Sequence, residues 1–264
     1  MMSFREYIQN EGIELSKSSN TYTFDFKNDS ENSIVKLVLS NISKIEKYDV
    51  DTYFGYTFEK GINKSLKLDF INSIKYFGTK VSESDVDKFI GNAIRLLNKK
   101  VNLSLFKTIV YPQSSSKLNI KTIERIMDMS LGGNFITFEL IKELPKNIEF
   151  DYERYIEFLR IKGVKEQDIE KSCTAVKNMM DSIHKLEYFK IGKNTKAKYR
   201  GFLKNFYKFK SDEDRKAYEK LQNENVIIID DISTTHSTMR YVLNALRTIN
   251  NSNNLVVFCL IGNQ

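Results

Sequence analysis

The sequence predicts an α/β protein with a mainly parallel, doubly wound sheet and flanking helices. Three observations predict it. From Leu105 onward, strand-like and helix-like patterns alternate along the chain. The apolar runs at 226–229 and 255–261 have the unbroken hydrophobicity of buried strands. Between them Met239, Val242, Leu243, Leu246 and Ile249 recur at helical spacing. With 264 residues, 41% of them hydrophobic, the chain can bury a substantial core.

The first stretch reads as a short helix. Two strand-like runs follow, at 21–26 and 33–39, and the turn-rich Lys27 to Asn32 between them predicts an antiparallel hairpin. Ile62, Leu66, Phe70, Ile74 and Phe77 then form one helical stripe. Behind the capping-type Ser82 and Ser84, Val86, Phe89, Ile90, Ala93 and Leu97 form a second. Residues 1–100 are therefore expected to form a hairpin-and-helix region able to serve as a hood, and residues 101–264 the α/β core.

Within that core the expected order is strand 105–111, helix 119–129 and strand 134–141. Pro112 and Pro145 each fall just after a strand, where a missing N–H does little harm. Residues 150–222 predict a charged, largely helical insertion with a Lys-rich segment at 190–210, after which the strand–helix–strand pattern resumes.

The formal net charge is +7, which suits a polyanionic partner, either nucleic acid or a small phosphorylated substrate. The two cysteines, Cys173 and Cys259, make neither a metal cluster nor a nucleophile site, and Cys259 reads as a buried thiol inside a strand. The longest apolar run falls far short of the ~20 residues that span a bilayer, and the start lacks a signal-like apolar stretch. A cytoplasmic protein with no membrane association is expected, and a homodimer is the commonest oligomer for such a chain.

The chemistry concentrates at Val226-Ile227-Ile228-Ile229-Asp230-Asp231-Ile232-Ser233-Thr234-Thr235-His236-Ser237-Thr238-Met239. A buried strand ends in two carboxylates, and a run of hydroxyl residues leads into a helix N-terminus. Successive N–H groups and the positive end of the helix dipole favour an anion there, and Ser and Thr hydroxyls add donors. Asp230 and Asp231 are placed to accept hydrogen bonds from sugar hydroxyls. One strand–loop–helix thus suits a sugar and its phosphate together.

This stretch, VIIIDDISTTHST, resembles the signature of type I phosphoribosyltransferases, the enzymes that use phosphoribosyl pyrophosphate (PRPP) as sugar donor. The resemblance implies that Asp230 and Asp231 hold the ribose 2′- and 3′-hydroxyls. It also implies that Ser233, Thr234, Thr235, His236, Ser237 and Thr238, with nearby amides, surround the 5′-phosphate. His236 stands where the family usually has glycine, and a histidine there either narrows the site or adds a donor to the phosphate. The placement of Lys75-Tyr76-Phe77-Gly78 loosely resembles ComF-type members of the family, although their N-terminal zinc-binding cysteines are absent.

A second site element is expected at the sheet's switch point. Tyr111-Pro112-Gln113-Ser114-Ser115-Ser116-Lys117 follows a strand, precedes a helix, and resembles the family's short pyrophosphate-binding loop. It reads equally as an ordinary polar connection. The basic run Lys190, Lys193, Lys196, Lys198, Arg200 and Lys204 resembles the mobile loop that supplies cations to the leaving pyrophosphate, with Lys198 and Arg200 as candidates. A solvated face is the plainer reading. Phe202, Phe206 and Phe209, interleaved with these bases, suit core packing at helical spacing better than stacking on nucleotides.

No GxxxxGK[ST], GxGxxG or HExxH motif is present. His184, in a charged helical stretch, reads as a surface residue. The resemblance implies transfer of a phosphoribosyl group to or from a nitrogenous base in nucleotide metabolism or salvage. Pyrophosphate would leave, and Mg²⁺ would be carried on the substrate's pyrophosphate. The alternative is a non-catalytic relative that senses PRPP or nucleotides, or binds nucleic acid through its basic surface.

Overall fold

The computed structural model describes residues 11–18, 21–28, 35–37, 42–45, 50–58, 61–78, 80–114, 116–129, 134–233 and 237–262. In chain order the elements are β1 (Glu11–Ser18), β2 (Thr21–Asn28), β3 (Val35–Leu37), β4 (Ile42–Ile45), β5 (Val50–Phe58), α1 (Lys64–Lys75) and α2 (Glu83–Lys100). Next come β6 (Thr108–Pro112), α3 (Leu118–Met129), β7 (Ile136–Lys142), β8 (Glu149–Phe150), α4 (Tyr152–Ile161) and α5 (Glu166–His184). The chain continues through α6 (Ile191–Asn194), α7 (Ala197–Arg200), β9 (Leu203–Lys204), β10 (Tyr207–Phe209), α8 (Asp212–Glu219), β11 (Asn225–Ser233), α9 (Ser237–Ile249) and β12 (Asn254–Gly262). The fold is α/β with a mostly parallel central sheet. Its contacts divide into two units, one of residues 1–139, 220–236 and 252–264, the other of residues 140–219 and 237–251.

In the first unit the strand order is β7-β6-β11-β12-β5-β3-β1-β2, and β4 also pairs with β5. β6, β11, β12 and β5 run parallel, with Val226 opposite both Thr108 and Leu255, and Val256 opposite Asp51. Beyond β5 the pairing turns antiparallel. Val226, Ile227, Ile228 and Ile229 are all fully buried, as an unbroken β-branched run in a central parallel strand requires. Ile227 and Ile229 join Ile109, Phe258 and Leu260 in one cluster with the stripes of α1, α2 and α3.

The predicted stripes form α1 and α2, and Ser82 caps α2 by accepting from the Asp85 N–H. β5 was not anticipated. It is aromatic-rich, with Gly55 at its centre, and lies inside the sheet between β12 and β3. A Cβ on Gly55 would stand 2.6 Å from the Ala93 Cβ, so the glycine lets α2 lie directly on the strand. Tyr56 stacks on Phe89 at 4.0 Å between centroids, and its hydroxyl donates to the Phe89 carbonyl.

The predicted N-terminal hairpin is not the one that forms. β2 pairs with β1, and β3 pairs with β1 and β5. Residues 11–18 supply the strand between the two expected hairpin partners, and the Ile13/Leu15 alternation is too short to have announced it. The helix expected at the very start falls on residues 1–10, outside the described residues.

In the second unit, the C-terminal half of β7 pairs antiparallel with β10, and β8 pairs with β9. The insertion therefore holds short strands beside its helices. Phe202, Phe206 and Phe209 are buried, as the packing interpretation requires, but on loops and short strands rather than on a helix. Phe150, Tyr155, Tyr199 and Phe202 form an aromatic nucleus with centroids 5.0–6.4 Å apart.

Candidate functional site at the end of β11

The position of β11 in the sheet sets the site. β6 connects through α3 to β7 on one side of it, and β11 connects through α9 to β12 on the other. The connections diverge between β6 and β11, so the carboxyl ends of these two strands flank a topological switch point, where open α/β sheets bind ligands.

Asp230 and Asp231 lie at that end of β11 and are only 5% and 4% exposed. They are more enclosed than carboxylates lining an open crevice. Asp231 Oδ1 accepts from the Ile232 N–H at 2.7 Å. Its Oδ2 takes the Lys75 Nζ at 2.8 Å and the Ser114 hydroxyl at 3.3 Å. Asp230 Oδ1 accepts from the Asp231 N–H at 3.0 Å. Burial, and then the neighbouring Asp231 carboxylate, push the Asp230 carboxyl well above the ordinary aspartate range, against the pull of Lys75 and that N–H.

The loop after β6 reaches the same point. Ser114 donates to Asp231 and accepts from the Ser116 N–H. Ser116, buried, accepts from the Leu118 N–H at the start of α3 and donates to the Lys75 carbonyl at the end of α1. Two serines therefore tie β11, α1 and α3 together. Gln113 and Lys117 are exposed beside them, and Ser115 lies outside the described residues.

Lys75, marked in the sequence only as part of Lys75-Tyr76-Phe77-Gly78, was not anticipated as a site residue. It closes the last turn of α1, where a lysine is ordinary because the helix dipole favours a cation. Nothing in its neighbours marks its reach to a carboxylate 156 positions later.

Ser233 ends β11, paired with Gly262; Thr234, Thr235 and His236 lie outside the described residues. Ser237 opens α9, and Thr238, half-buried, follows in its first turn. Lys198 and Arg200 belong to the second unit. Lys198 lies over the Tyr199 ring, and Arg200 donates to the Thr195 carbonyl while its own carbonyl accepts from the Tyr241 hydroxyl. His184 is exposed, and its Nε2 lies 2.9 Å from the Ile148 carbonyl oxygen. Among the described residues no group of three or more His, Cys, Asp or Glu is arranged to hold a metal ion, and no helix is long and apolar enough to cross a membrane.

Fold and site together define an open α/β protein with an acid–hydroxyl–lysine cluster at its switch point. The chain matches no protein-family model and no curated protein. Among solved structures, it is similar to a hypoxanthine phosphoribosyltransferase from Staphylococcus aureus, with a TM-score of 0.35 and 13% identity over 67% of this chain. The match spans 64% of that enzyme, just under two thirds of its length.

Proposed function

We propose that the protein is phosphoribosyltransferase-like, binding PRPP or a ribose 5-phosphate nucleotide at the end of β11 and transferring the phosphoribosyl group to or from a nitrogenous base. One observation carries the proposal. Asp231 sits at the switch point, engaged by a hydroxyl from the neighbouring strand's loop, and is followed in sequence by the hydroxyl run into α9. A ribose hydroxyl has the same donor chemistry as Ser114 and would take its place on Oδ2, exchanging one hydrogen bond for another. Lys75 would hold the carboxylate in position while it does so.

The hydroxyls of residues 233–238 would take the 5′-phosphate, and the loop at 113–117 the pyrophosphate. Mg²⁺ would arrive on the pyrophosphate and neutralise part of its charge. Such transfer needs positioning and charge stabilisation more than acid–base chemistry, so no catalytic histidine or cysteine is required.

Calorimetric titration with PRPP and Mg²⁺, run beside ribose 5-phosphate and nucleoside monophosphates, tests the proposal. Saturable binding that is lost in Asp231→Asn, with the circular dichroism unchanged, is the expected result. No binding of any of these ligands by the wild-type chain removes the proposal. The glycine position occupied by His236 favours a second interpretation, a sensor, which saturable binding without pyrophosphate release would identify.

A further inference from the structure

The charge of this protein is not spread over it. The second unit holds 21 of the 41 Lys and Arg but only 14 of the 34 Asp and Glu, so the whole net charge of +7 resides there and the first unit is neutral. From residue 188 to residue 210 there are eight Lys or Arg and no carboxylate. Lys204 and Lys208 of this run pair with Asp151 and Glu143, both at 3.0 Å. Lys190, Lys193, Lys196 and Lys198 are exposed earlier in the run.

Among them stands Tyr188, 64% exposed. Lys190 lies over its ring, with Nζ 5.4 Å from the centroid. Lys193 from α6 and Lys142 from the end of β7 are also close enough for their charges to act on the tyrosine hydroxyl, which is held below the ordinary tyrosine range chiefly by its hydrogen bond from Lys190. Two separate segments thus bring the charges of three lysines to bear on one exposed tyrosine. Phe189, Tyr199, Phe202, Phe206 and Phe209, its aromatic neighbours in sequence, are all buried.

We propose that this face of the second unit, centred on Tyr188 with Lys142, Lys190 and Lys193, binds single-stranded nucleic acid. The lysines take backbone phosphates and Tyr188 stacks on a base. A duplex would leave the ring without a partner, because its bases are already stacked and paired. An anionic membrane is the weaker fit, because this run buries the apolar side chains that an interfacial segment would insert.

The test is fluorescence anisotropy of short labelled oligothymidylate and oligouridylate with the full chain across a salt series. Binding should weaken as salt rises. Tyr188→Ala should cost about tenfold in affinity while Tyr188→Phe keeps it. Lys190→Gln with Lys193→Gln should reduce the log–log salt slope by about 1.4. Lys64→Gln with Lys99→Gln, the same charge change in the first unit, should leave binding unchanged. The proposal is overturned if no oligonucleotide binds at low salt, if the first-unit pair weakens binding as much, or if Tyr188→Ala binds like wild type. Binding to phosphatidylserine vesicles but not to oligonucleotides would also overturn it.

Discussion

Lys75 and Asp231 join the last turn of α1 to the end of β11 through a 2.8 Å ion pair whose carboxylate is 5% exposed while the lysine keeps 25% of its side-chain surface in solvent. The two residues are therefore unequal partners. Removing the lysine strands a buried charge, whereas removing the charge leaves a lysine that can turn to water. Lys75→Met should destabilise the protein by about 2 kcal/mol, and Asp231→Asn by less. Urea unfolding of both variants checks the order. Equal losses would mean that the pair contributes symmetrically, against the burial asymmetry.

Asp230 should leave a signature in the pH dependence of stability. Its carboxyl is raised from a usual value of 3.8, so between 3.8 and its native value the folded state holds a proton that the unfolded state has lost. Stability from this group is full below 3.8 and falls as pH rises through the native value. Asp230→Asn abolishes that slope. Relative to wild type, the variant should gain stability as pH rises, and unfolding series on both proteins read the difference directly.

Gly55 leaves no room for a side chain between β5 and α2. A methyl group there meets Ala93 Cβ at 2.6 Å and the Leu260 carbonyl oxygen at 3.0 Å. Gly55→Ala should cost about 2 kcal/mol by overpacking. Ala93→Gly in the same chain should recover only part of it, since the carbonyl remains. Full recovery would show that the helix alone sets the spacing.

The aromatic residues of the basic segment divide by burial. Phe202→Ala empties a position packed on Tyr155, Phe158 and Phe150 and should cost about 3 kcal/mol. Tyr188→Ala should change stability by less than about 0.5 kcal/mol. Thermal melts of the two variants separate a core residue from a surface one.

Long, regular signals were legible in the sequence. β11, α9 and β12 at the candidate site, and the stripes of α1 and α2, follow from unbroken apolar runs and a clean helical period. β5 escaped because Tyr53, Phe54, Gly55 and Tyr56 break both strand alternation and the aliphatic pattern of a parallel strand. Its burial depends on α2 arriving over Gly55. The carboxylates of the site could be read because they adjoin the strand that presents them. Lys75 could not, since its role arises only when α1 is laid beside β11. The Lys-rich segment showed its charge but not its geometry, because its phenylalanines pack on rings from outside it, Phe202 on Phe150 and Phe158, Phe206 on Tyr241 and Phe209 on Tyr218.

The strand order also bears on how the chain is made. β12 lies between β11 and β5, yet it is the last of the three to be synthesised. Until residues 254–262 have left the ribosome, β5 and β11 each present an unfilled edge of backbone donors and acceptors, and the sheet cannot close. During that interval the nascent chain is open to pairing with strands from other chains.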